Sequence, residues 1–105
     1  VYSDETEVVV MPEAPILKVS SPKTGRAALS WNAIEGASGY QIWRAEKEKD
    51  SYSIVKSITD SKVTSYTNSG LESGKTYYFK IRAYINTEGK KTFGEYSQVQ
   101  GILIP

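Results

Sequence analysis

The stretch KTYYFKIRAYI at 75–85 constrains this chain most, because its side chains alternate in character: Tyr77, Phe79, Ile81 and Ala83 fall on one side, and Tyr78, Lys80, Arg82 and Tyr84 on the other. A repeat of two is the repeat of a β-strand with one face packed and one face wet. The same pattern runs through GYQIWR at 39–44, where Tyr40 and Ile42 oppose Gln41 and Trp43. It recurs in RAALSWN at 26–32, where Ala27, Leu29 and Trp31 oppose Ala28, Ser30 and Asn32. Four further runs rich in β-branched and aromatic residues, ILKVS (16–20), YSIVKSI (52–58), TSYT (64–67) and EYSQVQGIL (95–103), are set off by Gly, Ser, Asn and Asp. AEKEKD at 45–50 is made of good helix formers but has no apolar stripe to bury, so it is read as a charged loop. Seven short strands with turns between them predict an all-β, antiparallel two-layer sandwich.

The inward set is expected to form the core: Trp31, Tyr40, Ile42, Tyr66, Leu71, Tyr77, Phe79 and Ile81. Trp31 fills much of the space between the layers, so truncation to alanine is expected to cost about 3 to 5 kcal/mol. At 105 residues there is room for one such core. A net charge of +1, with no basic cluster beyond pairs such as Lys90-Lys91, gives no broad electrostatic footprint for nucleic acid. No apolar run is long enough for membrane insertion by a helix. The chain has neither Cys nor His, which excludes Cys nucleophiles, His general bases and zinc sites built on thiolate or imidazole. Its 12 acidic residues are scattered rather than paired across a cleft. The expectation is therefore no enzyme activity, no cofactor and no metal.

The order LSW, GYQIWR, SYTNSGLESGKTYYFKIRAY and GEYSQV resembles the fibronectin type III domain over about residues 14–105. More narrowly, GYQIWRAEKEKDSYSIV followed by the 65–84 stretch is similar to versions found in secreted and surface-attached bacterial proteins. The resemblance implies a seven-stranded, immunoglobulin-like β-sandwich without a catalytic centre, located outside the cell. In the family the turn before the sixth strand reads Leu, any residue, Pro, Gly, two residues, Tyr; here Leu71, Gly74 and Tyr77 match, and Ser73 stands for the proline. The match implies that Leu71 plugs one end of the core and Gly74 allows a sharp turn. Tyr77 is then a corner tyrosine, its hydroxyl bonded back to loop backbone.

The wet side of one sheet is expected to carry Trp43, Tyr78, Lys80, Arg82 and Tyr84. One reading is an aromatic platform for carbohydrate or for a cell-surface protein, joined by Lys90 and Phe93 from the loop NTEGKKTFGE at 86–95. The other is structural, with Trp43 lying against Lys80 or Arg82 on the neighbouring strand and gaining about 0.5 to 1 kcal/mol from cation-π contact. The acidic run Asp4, Glu5 and Glu7 lacks the spacing of a calcium loop and is read as a solvated strand start.

The ending YSQVQGILIP (96–105) is echoed by YSDETEVVVMP at 2–12. Residues 1–11 are therefore expected to be the last strand of a preceding module or an N-terminal extension, able to pair with an exposed strand edge. Residues 12–15 (PEAP) read as a linker and 16–105 as the domain. The function expected from all this is a spacer, positioning or adhesion module whose partners are neighbouring domains of one polypeptide, an adhesin or a polysaccharide-degrading enzyme.

Overall fold

The computed structural model describes residues 12–21, 23–49 and 51–105, and among these the regular structure is all extended. The segment 1–11, expected to be a strand, lies outside the described residues. Strands β1 (Lys18–Ser20), β2 (Ala27–Ser30) and β5 (Ser65–Asn68) form a three-stranded sheet in the order β1-β2-β5. The second sheet runs β4 (Ser53–Ile58), β3 (Gly39–Ala45), β6 (Thr76–Thr87), and beyond β6 come both β7 (Lys90–Phe93) and β8 (Gln100–Leu103). Every pairing is antiparallel.

Eight strands stand where seven are expected, because the chain after β6 pairs sooner than its composition implies. β6 continues to Thr87 and reverses through Glu88 and Gly89, whose φ values of 52° and 83° suit a two-residue hairpin turn. Residues 90–93 of the expected loop are therefore already sheet. The ladder then changes character around Ser97. Its N–H donates to the Ile81 carbonyl at 2.7 Å, but the Ile81 N–H donates at 3.1 Å to the Ser97 side-chain oxygen rather than to a carbonyl. A side chain thus stands in for backbone, and regular pairing resumes only at Gln100 opposite Phe79.

Alternation places the core as expected along β2, β3 and β6. Ala27, Leu29, Tyr40, Ile42, Phe79, Ile81 and Ala83 are almost entirely inaccessible, with Trp31, Leu71 and Tyr77 close behind. Tyr66 departs from the expectation: it is half-buried and packs against the core from the side, because β5 is an edge strand with β2 as its single neighbour. Trp31 and Tyr40 meet edge to face, centroids 5.6 Å apart. The Tyr40 hydroxyl donates to the Ser61 carbonyl at 2.8 Å and accepts from the Ile34 N–H at 3.1 Å, so a buried polar atom is paid for twice over. Between the layers, Arg44 Nη1 donates to Asn68 Oδ1 at 2.8 Å and the guanidinium lies 5.5 Å from the Tyr77 ring centroid.

The two ends of the described chain lie beside opposite halves of β6. At one, a methyl placed on Gly94 would run into the Pro12 carbonyl, and the Gly94 N–H bonds to the Ala83 carbonyl at 2.9 Å, so Pro12 sits beside the far half of β6. At the other, the Ile104 N–H donates to the Lys75 carbonyl at 2.9 Å and the Gly74 N–H to the Ile104 carbonyl at 2.8 Å. Gly74 has φ 87°, the left-handed geometry that this turn needs. The Tyr77 hydroxyl accepts the Glu72 N–H at 2.9 Å, the corner contact that the family pattern implies.

Candidate functional site

The outer face of the larger sheet collects the long side chains that the core does not use. In β3 and β6 the outward residues come opposite one another, Gln41 with Arg82 and Trp43 with Lys80. Arg82 Nε donates to Gln41 Oε1 at 2.9 Å, which fixes the plane of the guanidinium. Its carbon then lies 3.9 Å from the Phe93 ring centroid, 4.8 Å from that of Tyr96 and 5.6 Å from that of Trp43. Phe93 is reached diagonally, since it pairs with Tyr84 two residues further along β6. Lys80 turns away from Trp43, and its ammonium lies 4.0 Å from the Tyr96 centroid and 4.4 Å from that of Tyr52. Tyr96 is thus shared by both cations, and it meets Trp43 edge to face at 6.0 Å.

The residues expected here divide into four groups. Trp43, Arg82 and Phe93 are half-buried in the stack. Tyr78 is half-buried further along, its ring lying across Gly101, where a built Cβ would come within 2.8 Å of the ring. Lys90 is exposed beside the hairpin turn and makes no part of the stack. Tyr84 corrects the expectation of an accessible ring: it is 3% exposed. The reason is its cross-strand partner Gly39, which has no side chain to hold the ring off the sheet. A methyl on Gly39 would meet the Ile58 carbonyl and come within 2.6 Å of the Tyr84 hydroxyl. That hydroxyl donates to the Ile58 carbonyl at 3.4 Å, while Phe93 and the Lys91 ammonium close over the ring at 6.1 and 5.0 Å.

Reading the strands by alternation misses two members of the stack, Tyr52 and Tyr96. Both lie outside regular strand, Tyr52 just before β4 and Tyr96 in the stretch where Ser97 replaces a backbone acceptor. The Tyr52 hydroxyl donates to the Glu48 carbonyl at 2.7 Å. Burial above all, and then the charges of Glu48 and Tyr78, push its pKa above the ordinary 10.0. Among the described residues the ion pairs found are both made by Lys75, with Glu46 at 3.1 Å and Glu72 at 3.5 Å, so neither Lys80 nor Arg82 is met by a carboxylate. No group of three or more metal-ligating side chains occurs among the described residues. The face combines two cations with flat aromatic rings.

Comparison with known proteins places this architecture. Residues 12–100 match the family model of the fibronectin type III domain. The chain belongs to that family. Fibronectin type III domains are in general non-catalytic modules. Relatives include a Kelch domain-containing protein of Saccharolobus solfataricus, 38% identical over 64% of this chain and 9% of its own length. A poly(3-hydroxybutyrate) depolymerase of Ralstonia pickettii is 36% identical over 70% of this chain and 13% of its own length. An amylopullulanase of Thermoanaerobacterium saccharolyticum is 28% identical over 77% of this chain and 6% of its own length. This chain therefore matches a small part of each of these larger proteins. Among solved structures, an Fn3-like protein from Clostridium thermocellum is 28% identical and superposes with a TM-score of 0.64, covering 91% of this chain and 93% of its own. Among the described residues no helix is long and apolar enough to cross a membrane.

Proposed function

We propose that this module is a non-catalytic spacer that positions other domains of a secreted or surface-attached bacterial protein, an adhesin or a polymer-degrading enzyme. The observation that carries the reading is the placement of Pro12 beside the Ala83 stretch of β6 and of Ile104 beside Lys75, eight residues back and so about 25 Å away by strand rise. A unit that is entered at one end and left at the other adds its length to a string, whereas one with adjacent termini hangs off it. The joint at 12–15 is seated rather than loose, with Pro12 and Pro15 both buried. The relatives named as enzymes, a depolymerase and an amylopullulanase, carry the matching segment as a small fraction of their length, which suits an accessory role. The echo of the chain's ending in residues 2–12 suits a neighbour of the same kind upstream.

The chain has no cysteine, so paired spin labels can be introduced cleanly. Labels at Glu13→Cys and Leu103→Cys, both exposed positions, are expected to give one narrow distance distribution near 25 Å before allowance for the label arms. The same distribution is expected with a folded domain fused at each end. A broad distribution like that of a flexible linker, or one that collapses on fusion, removes the spacer role.

A further inference from the structure

Within the stack on the larger sheet, Arg82 and Lys80 are held in place by side chains that cannot neutralise them. Gln41 fixes Arg82 through Nε, and Phe93 and Tyr96 flank the guanidinium. Among the described residues Nε is its one hydrogen-bonding nitrogen, which leaves the terminal nitrogens as a fork of the geometry that carboxylates fit in pairs of bonds. Lys80 stands two residues away on the same face, about 6.6 Å along the strand. Among the described residues neither cation has a carboxylate within ion-pair distance, which suits an anionic occupant.

We propose that the outer face of β3 and β6 binds an acidic polysaccharide, taking a uronate carboxylate on Arg82 and its neighbour on Lys80, with sugar faces against the rims of Tyr52, Tyr96 and Phe93. The position of the site favours a glycan over an acidic peptide. β3 pairs with β4 and β6, and β6 pairs on both sides, so the backbone donors and acceptors of this face are spent within the sheet. An extended peptide gains its affinity for a sheet by adding ladder bonds at an edge, which the middle of a face does not offer. A glycan needs no ladder: ring faces and carboxylates are what it presents, and rings and cations are what it meets here. The inference goes beyond the spacer role and is independent of it, since either can fail while the other stands.

Polygalacturonate is the probe, with amylose as a neutral polymer and polyglutamate as an acidic peptide, each titrated into the isotope-labelled chain. Polygalacturonate is expected to move the amide signals of Trp43, Lys80, Arg82, Phe93 and Tyr96 selectively, and binding is expected to fade as salt is raised to about 0.5 M. Arg82→Gln is expected to weaken it about tenfold. Lys18→Gln, on the opposite sheet, is expected to leave it unchanged. Should Arg82→Gln fail to fold, Lys80→Gln and the wild-type shift map decide in its place. The proposal is overturned by no binding, by shifts scattered over the surface, by equal affinity for amylose, by equal or tighter binding of polyglutamate, or by equal losses in the Arg82 and Lys18 variants.

Discussion

The two sheets of this sandwich present outer faces of opposite kinds. On the smaller sheet the outward rows are Lys18, Ser30 and Ser65, then Ser20, Ala28 and Thr67, which apart from Lys18 are short side chains and leave the strands nearly bare. On the larger sheet the outward residues interlock: Arg82 and Lys80 are stacked among Phe93, Tyr96 and Tyr52, Tyr78 lies across Gly101, and Tyr84 is folded down over Gly39. The difference teaches that facing outward is not the same as being exposed. A sheet can build a second, thinner packing layer on its wet side when bulky side chains alternate with glycine across neighbouring strands.

The sharpest way to break that contrast is to fill one of the gaps. Gly39→Ala places a methyl against the Ile58 carbonyl and the Tyr84 ring, and is expected to cost about 3 kcal/mol or more in urea denaturation. Ser30→Ala on the other sheet is expected to stay within about 0.5 kcal/mol. Comparable losses at the two sites would erase the distinction. Next in size is the ring that fills the gap: Tyr84→Ala is expected to cost about 3 kcal/mol, and Tyr84→Phe, which gives up one long hydrogen bond, about 0.5 to 1 kcal/mol. A ring that stood free in water would cost little to remove.

The stack itself contributes less. A double-mutant cycle on Arg82→Ala and Phe93→Ala is expected to return a coupling of about 0.5 to 1 kcal/mol, and a cycle on Ser30 and Ser65 one near zero. The smallest effect separates the stack from the ion pairs at the end of the domain, and it is read at alkaline pH. Burial, with Glu48 and Tyr78, raises the Tyr52 pKa above its ordinary 10.0, and the hydrogen bond and charge of Glu46 raise that of Lys75 above 10.5. The folded chain therefore holds both protons more tightly than the unfolded one. The stability this confers is intact below about pH 10 and is lost as pH climbs through the folded values. The denaturation midpoint is expected to fall slightly over that interval, and Tyr52→Phe to remove the part due to the phenol; a midpoint that rises with pH would contradict both assignments.

Much of this fold was legible in the residues because it depends on local order. Alternation along 75–85 and 26–32 sorts inner from outer side chains without knowledge of any partner strand, and the corner at Leu71, Gly74 and Tyr77 is what the resemblance to the family's turn pattern implies. What was not legible depends on register. The burial of Tyr84 is a property of Gly39, 45 positions away, and becomes visible only once β3 is aligned with β6. The late start of β8 at Gln100, five residues into the expected strand 95–103, goes with the hydroxyl of Ser97 taking the place of a carbonyl, which no repeat of two can express. Tyr52 and Tyr96 fall within the expected strands 52–58 and 95–103, but the chain is irregular at both positions, so alternation along those strands does not fix which face they take. Tyr66 sits on the inward side of its strand, but only an edge strand leaves such a residue half open.

The placement of Pro12 and Ile104 bears on how the module behaves under tension. A pull applied through the flanking chain runs along the strands, so the bonds that hold the first and last of them are loaded in shear and must give way together rather than one by one. The weaker grip is at the start, where β1 is held to β2 over three residue pairs against four for β8 on β6. A rising force would strip the leading strand first and lengthen the tether by a short step while the Trp31 and Phe79 packing still held, a small mechanical fuse ahead of complete unravelling.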